Sequence, residues 1–423
     1  MSIPEPLPYV AEFEKLGYGM FVHWGIYSQF GMGEWAQEKM QIPRSQYEKL
    51  KDTFTARDFD AREWARLAKN AGMKYITLTT RHHDGFSLYD TCGLNNYDAP
   101  HSAAGRDLIR EFVDGCREFG IVPFFYHTTI DWHWRGKETK FLDDAEFEEY
   151  LDYFHKSIEI LCTNYGKIGG FWFDGNWSRP DSDWKEDRLY GIIRKHQPEC
   201  IIVNNTGLAE RGKVGHPEID SVTFENGRAT PINREGMSKY VAGEVCKTMN
   251  AHWGRVNMDF KYLSPGEIIE LLCHCRSCGA NLLLNIGPEG QGGIPLMERA
   301  LLDTVGRWCS AFGEAVYEAK PAAVKCHGKD FMLKNGDDYY YFVHDMGING
   351  SAEVTIFRTG IGTRAVDLFT PEVISANWLD DGKEVPFFQE RCRGILALTC
   401  VGYPYGSHTC VRVIKIRTRP AEK

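Results

Sequence analysis

The chain has 423 residues, 43% hydrophobic and 25% charged, which suits a large barrel with a small partner domain and excludes disordered or collagen-like classes. Lys and Arg total 49 against 58 Asp and Glu, a formal net charge of −9, so there is no sequence-wide basic footprint for nucleic acid and no basic block for an anionic membrane surface. No apolar run approaches the roughly 18 residues of a membrane-spanning helix. The opening MSIPEPLPYVAEFEKLGYGM lacks both the basic region and the apolar core of a secretory signal, so a cytoplasmic location is expected.

In chain order, near-continuous apolar runs predict strands at FVHWGIYS from Phe21, KYITLTT from Lys74, IVPFFYHT from Ile121, GGFWFDG from Gly169, CIIVNN from Cys200 and NLLLNIG from Asn281. Such runs mark parallel strands covered on both faces. Amphipathic helices lie between them. In DAREWARLAKNAG, Asp60 can cap, Glu63 completes the box, and Trp64, Leu67, Ala68 and Ala71 form one stripe before Gly72. GRDLIREFVDGCREFG repeats the design with Leu108, Phe112 and Phe119 before Gly120, and a longer helix runs from about Asp143 to Tyr165. This alternation predicts an α/β fold, a (β/α)8-like TIM barrel over residues 1–318. From about Lys320 the texture changes to short runs rich in Tyr, Phe, Val and Ile, such as DYYYFVHD, AEVTIFRT and TCVRVIKIRT. These predict a C-terminal antiparallel β-sandwich over residues 319–423.

Thirteen cysteines, an odd number in a long chain, do not form a disulfide scaffold. Cys273, Cys275 and Cys278 cluster with His274, but SPGEIIELLCHCRSCG reads as a helix capped by Ser264 and Glu267, with Pro265 in the first turn and Gly279 at its stop. With no second pair at zinc-finger spacing, a buried packing role is expected for these thiols.

In a barrel of this kind the active site lies at the carboxyl ends of the strands. There the sequence places His23-Trp24, Arg81-His82-His83-Asp84, Tyr126-His127, Asp174, Asn204-Asn205 and Asn285, interleaved with Trp24, Trp35, Trp132, Trp172 and Trp177. One such residue would only satisfy backbone groups. The series suits a carbohydrate pocket, because aromatic faces stack on sugar C–H faces while carboxylate, imidazole and amide groups bond hydroxyls. His82-His83-Asp84 could be a metal corner, but adjacent strand residues point to opposite faces, so both imidazoles would need a bent strand end. Asp174 could simply cap a turn with Gly175, or it could be a carboxylate nucleophile. The second role needs a partner carboxyl at about 5–5.5 Å for retention or about 6.5–9.5 Å for inversion. Glu225, Glu235 and Glu244 are all candidates.

GMFVHWGIYS, the GEW at Gly33–Trp35, RHHDGFSLYDT, FWFDG, GEVCKTMNAHWG and SCGANLLLNIGP followed by EGQGGIP resemble the retaining α-L-fucosidases of glycoside hydrolase family 29. The resemblance spans roughly residues 8–318, and RHHDGF with NLLLNIGP is its most specific pair. It implies that Asp174 is the nucleophile and that Glu244 is the acid/base, although Gly243 stands where the family usually has Trp. It further implies sugar-binding roles for His23, Glu34, Trp35, His82, His83, Tyr126 and Trp172, with Tyr126 followed unusually by His127. Thr206 occupies a position where the family commonly has a sugar-contacting Arg; Arg228 or another residue could take over.

The function implied is exo-hydrolysis of terminal α-linked L-fucose from oligosaccharides or glycoconjugates with retained anomeric configuration, needing no metal or organic cofactor. The rival readings are a catalytically silent fucose-binding protein and a metal-dependent barrel hydrolase built on His82 and His83. Linkage preference and homo-oligomer formation are not written in these residues.

Overall fold

A computed structural model describes residues 3–206, 211–346, 348–349, 362–400, 403–404 and 409–420. Eight parallel strands close a barrel in simple sequence order: β1 (Tyr18–Val22), β2 (Tyr75–Arg81), β3 (Val122–Thr128), β4 (Gly170–Asp174), β5 (Ile201–Asn204), β6 (Ser221–Thr223), β7 (Ala242–Thr248) and β8 (Asn281–Ile286). Six of them are the predicted runs. The first begins earlier than expected because Gly19 belongs to it: a Cβ there would lie 2.5 Å from the Tyr75 ring. Omitting that side chain lets a large aromatic fill the barrel interior.

Two strands escaped the reading of apolar runs. β6 has only three residues, and β7 is interrupted by Gly243, Glu244 and Lys247.

The helices expected to be capped by Asp60 and Ser264 begin there, and two more start at Asp caps. Asp60 accepts the amides of Arg62 and Glu63 before helix Ala61–Asn70, and Asp107 accepts Arg110 N before Leu108–Phe119. Asp143 and Glu146 close a capping box on Asp144–Asn164, as Ser264 and Glu267 do on Pro265–Ser277. Each cap satisfies amides that the first helical turn leaves without partners. No described helix is long and apolar enough to cross a membrane.

Large rings fill the barrel. Phe21, Tyr75, Phe124, Tyr126 and Trp172 pack with Ile201, Val203, Ala242, Cys246 and Leu283. Val10 and Phe13 of the helix Pro8–Leu16 join this cluster from the chain's start, with the Phe13 ring 5.8 Å from Tyr75 and 5.7 Å from Phe124. The interior is therefore packed, and a pocket opens where the strands end.

The chain divides into two compact units, one of Met1–Leu263 with Asn281–Asp303 and the other of Ser264–Ala280 with Thr304–Lys423. The second unit holds a five-stranded antiparallel sheet in the order β14 (Val373–Trp378), β18 (Arg412–Thr418), β11 (Asp338–Val343), β10 (Phe331–Asn335), β9 (Lys320–Pro321). A three-stranded antiparallel sheet follows the order β13 (Gly362–Val366), β16 (Ile395–Cys400), β15 (Phe387–Glu390), and β12 (Ile348–Asn349) pairs in parallel with β17 (Tyr403–Pro404).

Tyr339, Tyr341, Ala376, Trp378, Ile414 and Ile416 from the larger sheet share one core with Val366, Leu396, Leu398 and Cys400 from the smaller. That is a sandwich, as expected. DYYYFVHD and TCVRVIKIRT supply β11 and β18, whereas AEVTIFRT lies outside the described residues. None of the thirteen cysteines is joined in a disulfide; of the clustered thiols Cys273 and Cys275 are buried, as expected, and Cys278 is half-buried.

Candidate active site

Strand alternation sorts the polar residues at the strand ends into two sets. Arg81 faces outward to Ser87, Tyr89 and Ser157, His127 to Tyr89, Asn204 to Tyr190 and Glu186, and Trp24 into a cluster with Phe54, Phe59 and Trp64. The inward set closes a cavity of about 110 Å3 lined by Phe21, His23, Glu34, Trp35, His82, His83, Tyr126, Trp172, Asp174, Trp177, Asn205, Glu225 and Trp253. A larger concavity of about 590 Å3 collects exposed charges such as Arg135, Glu149 and Lys156 and none of the strand-end residues.

His82 and His83 both enter the pocket because the end of β2 is bent. The register against β3 slips between Thr79, paired with Tyr126, and Arg81, paired with His127. This bulge adds one residue, and a turn closed by Gly85 N on His82 O follows at once. The imidazole rings therefore lie 4.2 Å apart between centroids, where regular alternation would have separated them. Among the described residues no group of three or more His, Cys, Asp or Glu converges as a metal ion would require.

Burial pushes the imidazole pKa values of His23 and His83 down to about 3 and that of His82 well below its usual range. All three rings are neutral near pH 7, so each offers one donor and one acceptor. The tautomer of His23 follows from its partners. Asn285 Nδ2 donates to Trp253 O at 2.7 Å, which leaves Asn285 Oδ1 to accept from His23 Nδ1 at 2.7 Å. His23 Nε2 is then an acceptor. His83 Nδ1 is engaged by Thr128 Oγ1 at 2.7 Å, while buried His82 Nδ1 meets no hydrogen-bonding partner among the described residues. With no Lys or Arg in the lining among the described residues, these groups suit a neutral polyhydroxylated ring rather than an anion.

Asp174, the last residue of β4, is held by several donors. Trp177 Nε1 lies 3.0 Å and Asn205 Nδ2 3.3 Å from Oδ1, and Tyr126 Oη lies 3.3 Å from Oδ2. His83 Nε2 stands 3.6 Å from Oδ2. Burial raises the Asp174 pKa, and the three side-chain donors oppose that rise by stabilising the carboxylate. Gly175 makes the sharp exit from the strand: its φ is +129°, and a Cβ there would lie 2.6 Å from Thr129 Oγ1. The turn Asn176–Ser178 then brings Trp177 back onto Asp174.

The three candidate partner carboxylates part company. Glu225 follows β6 and lines the pocket, and Asn205 Nδ2 donates to its Oε2 at 2.7 Å while also reaching Asp174. Its pKa is raised by burial and by the nearby Asp174 carboxylate. Glu235 sits on an exposed stretch outside the pocket. Glu244, expected as the acid/base, is also absent from the lining. It is the third residue of β7, in register with Thr223 of β6 and with Asn281, the first residue of β8. That register sinks its side chain into the barrel interior beneath the pocket, 1% exposed, with Tyr75 Oη donating at 2.5 Å and Trp172 Nε1 at 3.0 Å.

The remaining expected residues, His23, Glu34, Trp35, His82, His83, Tyr126 and Trp172, are all in the lining. Glu34 Oε2 accepts Gly254 N at 2.7 Å, and burial raises its pKa. Trp253 joins the lining without being among the residues expected there. It comes from the AHWG stretch after β7, and its ring lies 5.0 Å from His23. The Trp-Gly pair in that motif was its only sequence signal. Thr206 has a buried hydroxyl without a partner among the described residues, and Arg228 is exposed and outside the lining. The cation that acts on Glu225 is Arg211, which opposes the rise in its pKa.

Comparison with known proteins finds relatives over most of the chain. A family model described as alpha-L-fucosidase matches residues 5–314. Rat (Rattus norvegicus) plasma alpha-L-fucosidase is 28% identical over 340 residues, covering 74% of this chain and 71% of that protein. Mouse (Mus musculus) tissue alpha-L-fucosidase is 28% identical over 371 residues, covering 80% of this chain and 78% of that protein. Among solved structures, alpha-L-fucosidase isoenzyme 1 from Paenibacillus thiaminolyticus superposes with a TM-score of 0.81 at 31% identity, over 97% of this chain and 99% of that one.

Proposed function

The chain belongs to the α-L-fucosidase family of glycoside hydrolases, and from that premise we propose that Asp174 and Glu225 are the pair with which it removes terminal α-linked L-fucose with retention. The observation that carries the pairing is the Asn205 amide, which donates to both carboxylates. Its two bonds laid end to end keep the nearest oxygens within about 6 Å, short of the roughly 6.5–9.5 Å that an inverting pair needs to seat a water.

The environments divide the labour. Glu225 is pushed toward its protonated form by burial and by the neighbouring negative charge, which suits a general acid. Burial raises the Asp174 pKa too, but three side-chain donors oppose that rise against one at Glu225, which suits Asp174 to be the nucleophile of the pair. In the first step an Asp174 oxygen bonds to the anomeric carbon, the glycosidic C–O bond breaks, and the Glu225 proton goes to the leaving oxygen. In the second, Glu225 takes a proton from water as the water oxygen displaces Asp174. The intermediate is β-configured and the product is α-L-fucose. Neutral His23, His82 and His83 with Glu34 bond the sugar hydroxyls, and Trp35, Tyr126 and Trp172 cover its apolar faces.

Azide rescue tests the pairing. Glu225→Ala should slow fucosyl oligosaccharides by about 10²–10⁴-fold. An aryl fucoside with an acidic phenol should suffer far less in its first step, and azide should restore turnover with α-L-fucosyl azide as product. Rescue of Asp174→Asn should instead give the β-azide. Rescue to the α-azide in Glu34→Ala or Glu244→Ala, with Glu225→Ala unresponsive, would move the acid/base role away from Glu225.

A further inference from the structure

We propose that Trp177 works on both sides of the scissile bond: its indole N–H positions the Asp174 carboxylate, and its ring is the face on which the leaving sugar packs. The inference rests on Asp174 being the nucleophile. Its starting point is an oddity of exposure. Trp177 lines a pocket that is otherwise largely closed, yet 36% of it is open to solvent. An indole N–H so close to water needs no protein partner, and a large apolar ring left wet is unfavourable unless something covers it.

Both features are built in. The left-handed backbone at Gly175 folds the turn so that Nε1 donates to Asp174 Oδ1 at 3.0 Å, the shortest of the three side-chain bonds to that carboxylate. The Trp177 ring is held in offset stacking against Trp35, with centroids 5.8 Å apart and planes 26° apart, and Trp132 braces Trp35 edge-on at 5.1 Å. Trp177 is therefore an ordered aromatic surface at the rim, next to the atom that attacks the anomeric carbon.

The ligand follows from this placement. The cavity of about 110 Å3 is on the scale of one sugar ring. The bond that breaks lies beside Asp174, so the group on its far side must leave past the rim. An aromatic face there suits the C–H face of a second neutral sugar, and a sugar seated on the ring would hold the N–H against Oδ1 as the bond is cleaved.

Two variants separate the two roles. Trp177→Phe keeps a ring and removes the donor; Trp177→Ala removes both. α-L-Fucosyl fluoride has no leaving sugar, whereas an α-L-fucosyl disaccharide does. Trp177→Phe should lower kcat/KM about 10- to 100-fold on both substrates, the worth of a hydrogen bond to a charged group. Its acid limb should move to higher pH, because the charged carboxylate has lost a donor. Trp177→Ala should lose a further factor of about 5–10 on the disaccharide alone.

An unmoved acid limb with kcat/KM within about twofold of wild type for Trp177→Phe would overturn the positioning role. An unchanged disaccharide-to-fluoride ratio across all three proteins would overturn the packing role. A 2-deoxy-2-fluoro-fucosyl label keeps failure of the premise distinct. Label on a residue other than Asp174 in the wild type refutes the nucleophile assignment, whereas label on Asp174 in the variants shows a folded pocket.

Discussion

Trp172 Nε1 donates to Glu244 Oε1 at 3.0 Å, so a buried carboxyl holds the pocket floor from below. Trp172 lies in the lining and Glu244 beneath it, and Tyr75 Oη fixes the second oxygen at 2.5 Å. Glu244 thus orients a ring that lines the pocket without lining it itself.

Glu244→Gln should keep turnover of an aryl fucoside within about tenfold, since Gln Oε1 can still accept from Trp172 while Tyr75 rotates to accept from the amide. Its effect should show in stability against pH. Burial raises the Glu244 pKa from 4.5 to about 7, so between those values the folded protein binds a proton that the unfolded chain releases. The wild type should lose stability as pH rises through that window, by up to about 3 kcal/mol, with no further loss above it. Gln has no such proton. Denaturant titrations from pH 4.5 to 8 should show the variant gaining on the wild type; parallel curves would contradict the buried titration.

Asn205 should be intolerant of charge. Its amide donates to Asp174 and Glu225, and its Oδ1 accepts from Thr223 Oγ1 at 3.0 Å. Asn205→Ala should reduce kcat by about 10- to 100-fold through loss of donors to charged groups. Asn205→Asp adds a third carboxyl beside two others, so it should be worse than Ala and should raise the acid limb further. Asp equal to or better than Ala in a pH–rate series would contradict the bridge.

His82→Ala should raise KM more than it lowers kcat, because the imidazole lines the pocket and stays neutral, so it can bond a substrate hydroxyl. A lost hydrogen bond of this kind is worth about 0.5–1.5 kcal/mol. Burial, with His83 and His23 nearby, holds the ring neutral, so wild-type KM should not vary with pH between about 5 and 8 through this residue. A KM titration in that range that disappears in His82→Ala would contradict the neutral ring.

Gly175→Ala should damage both stability and activity. The residue has φ +129°, and the new Cβ would meet Thr129 Oγ1 at 2.6 Å. Such strain costs of order 1–3 kcal/mol where the fold enforces it. Relief by backbone movement would displace Trp177 and Asp174 together. Unfolding curves and kcat should fall in parallel, and wild-type values for both would show that the turn does not set Asp174.

What the sequence by itself determined is local. Asp60, Asp107, Asp143 and Ser264 begin their helices because a cap acts on amides within three residues of itself. Asp174 stood out because it ends a run of Phe171, Trp172 and Phe173, and the strand does end there. The tertiary structure decided matters that depend on neighbours. Simple continuation of strand alternation past β2 predicts that His82 and His83 diverge, and the bulge against β3 with the turn that follows it brings them together. Glu225 and Glu244 were equal candidates from spacing, since neither carries a local signal of depth. Closure of eight strands fixes the register of β7 against β6 and β8, and that register leaves Glu225 beyond the end of β6 while drawing Glu244 inside the barrel. Register is set by hydrogen bonds between strands distant in sequence, so no window of residues around either glutamate could contain it.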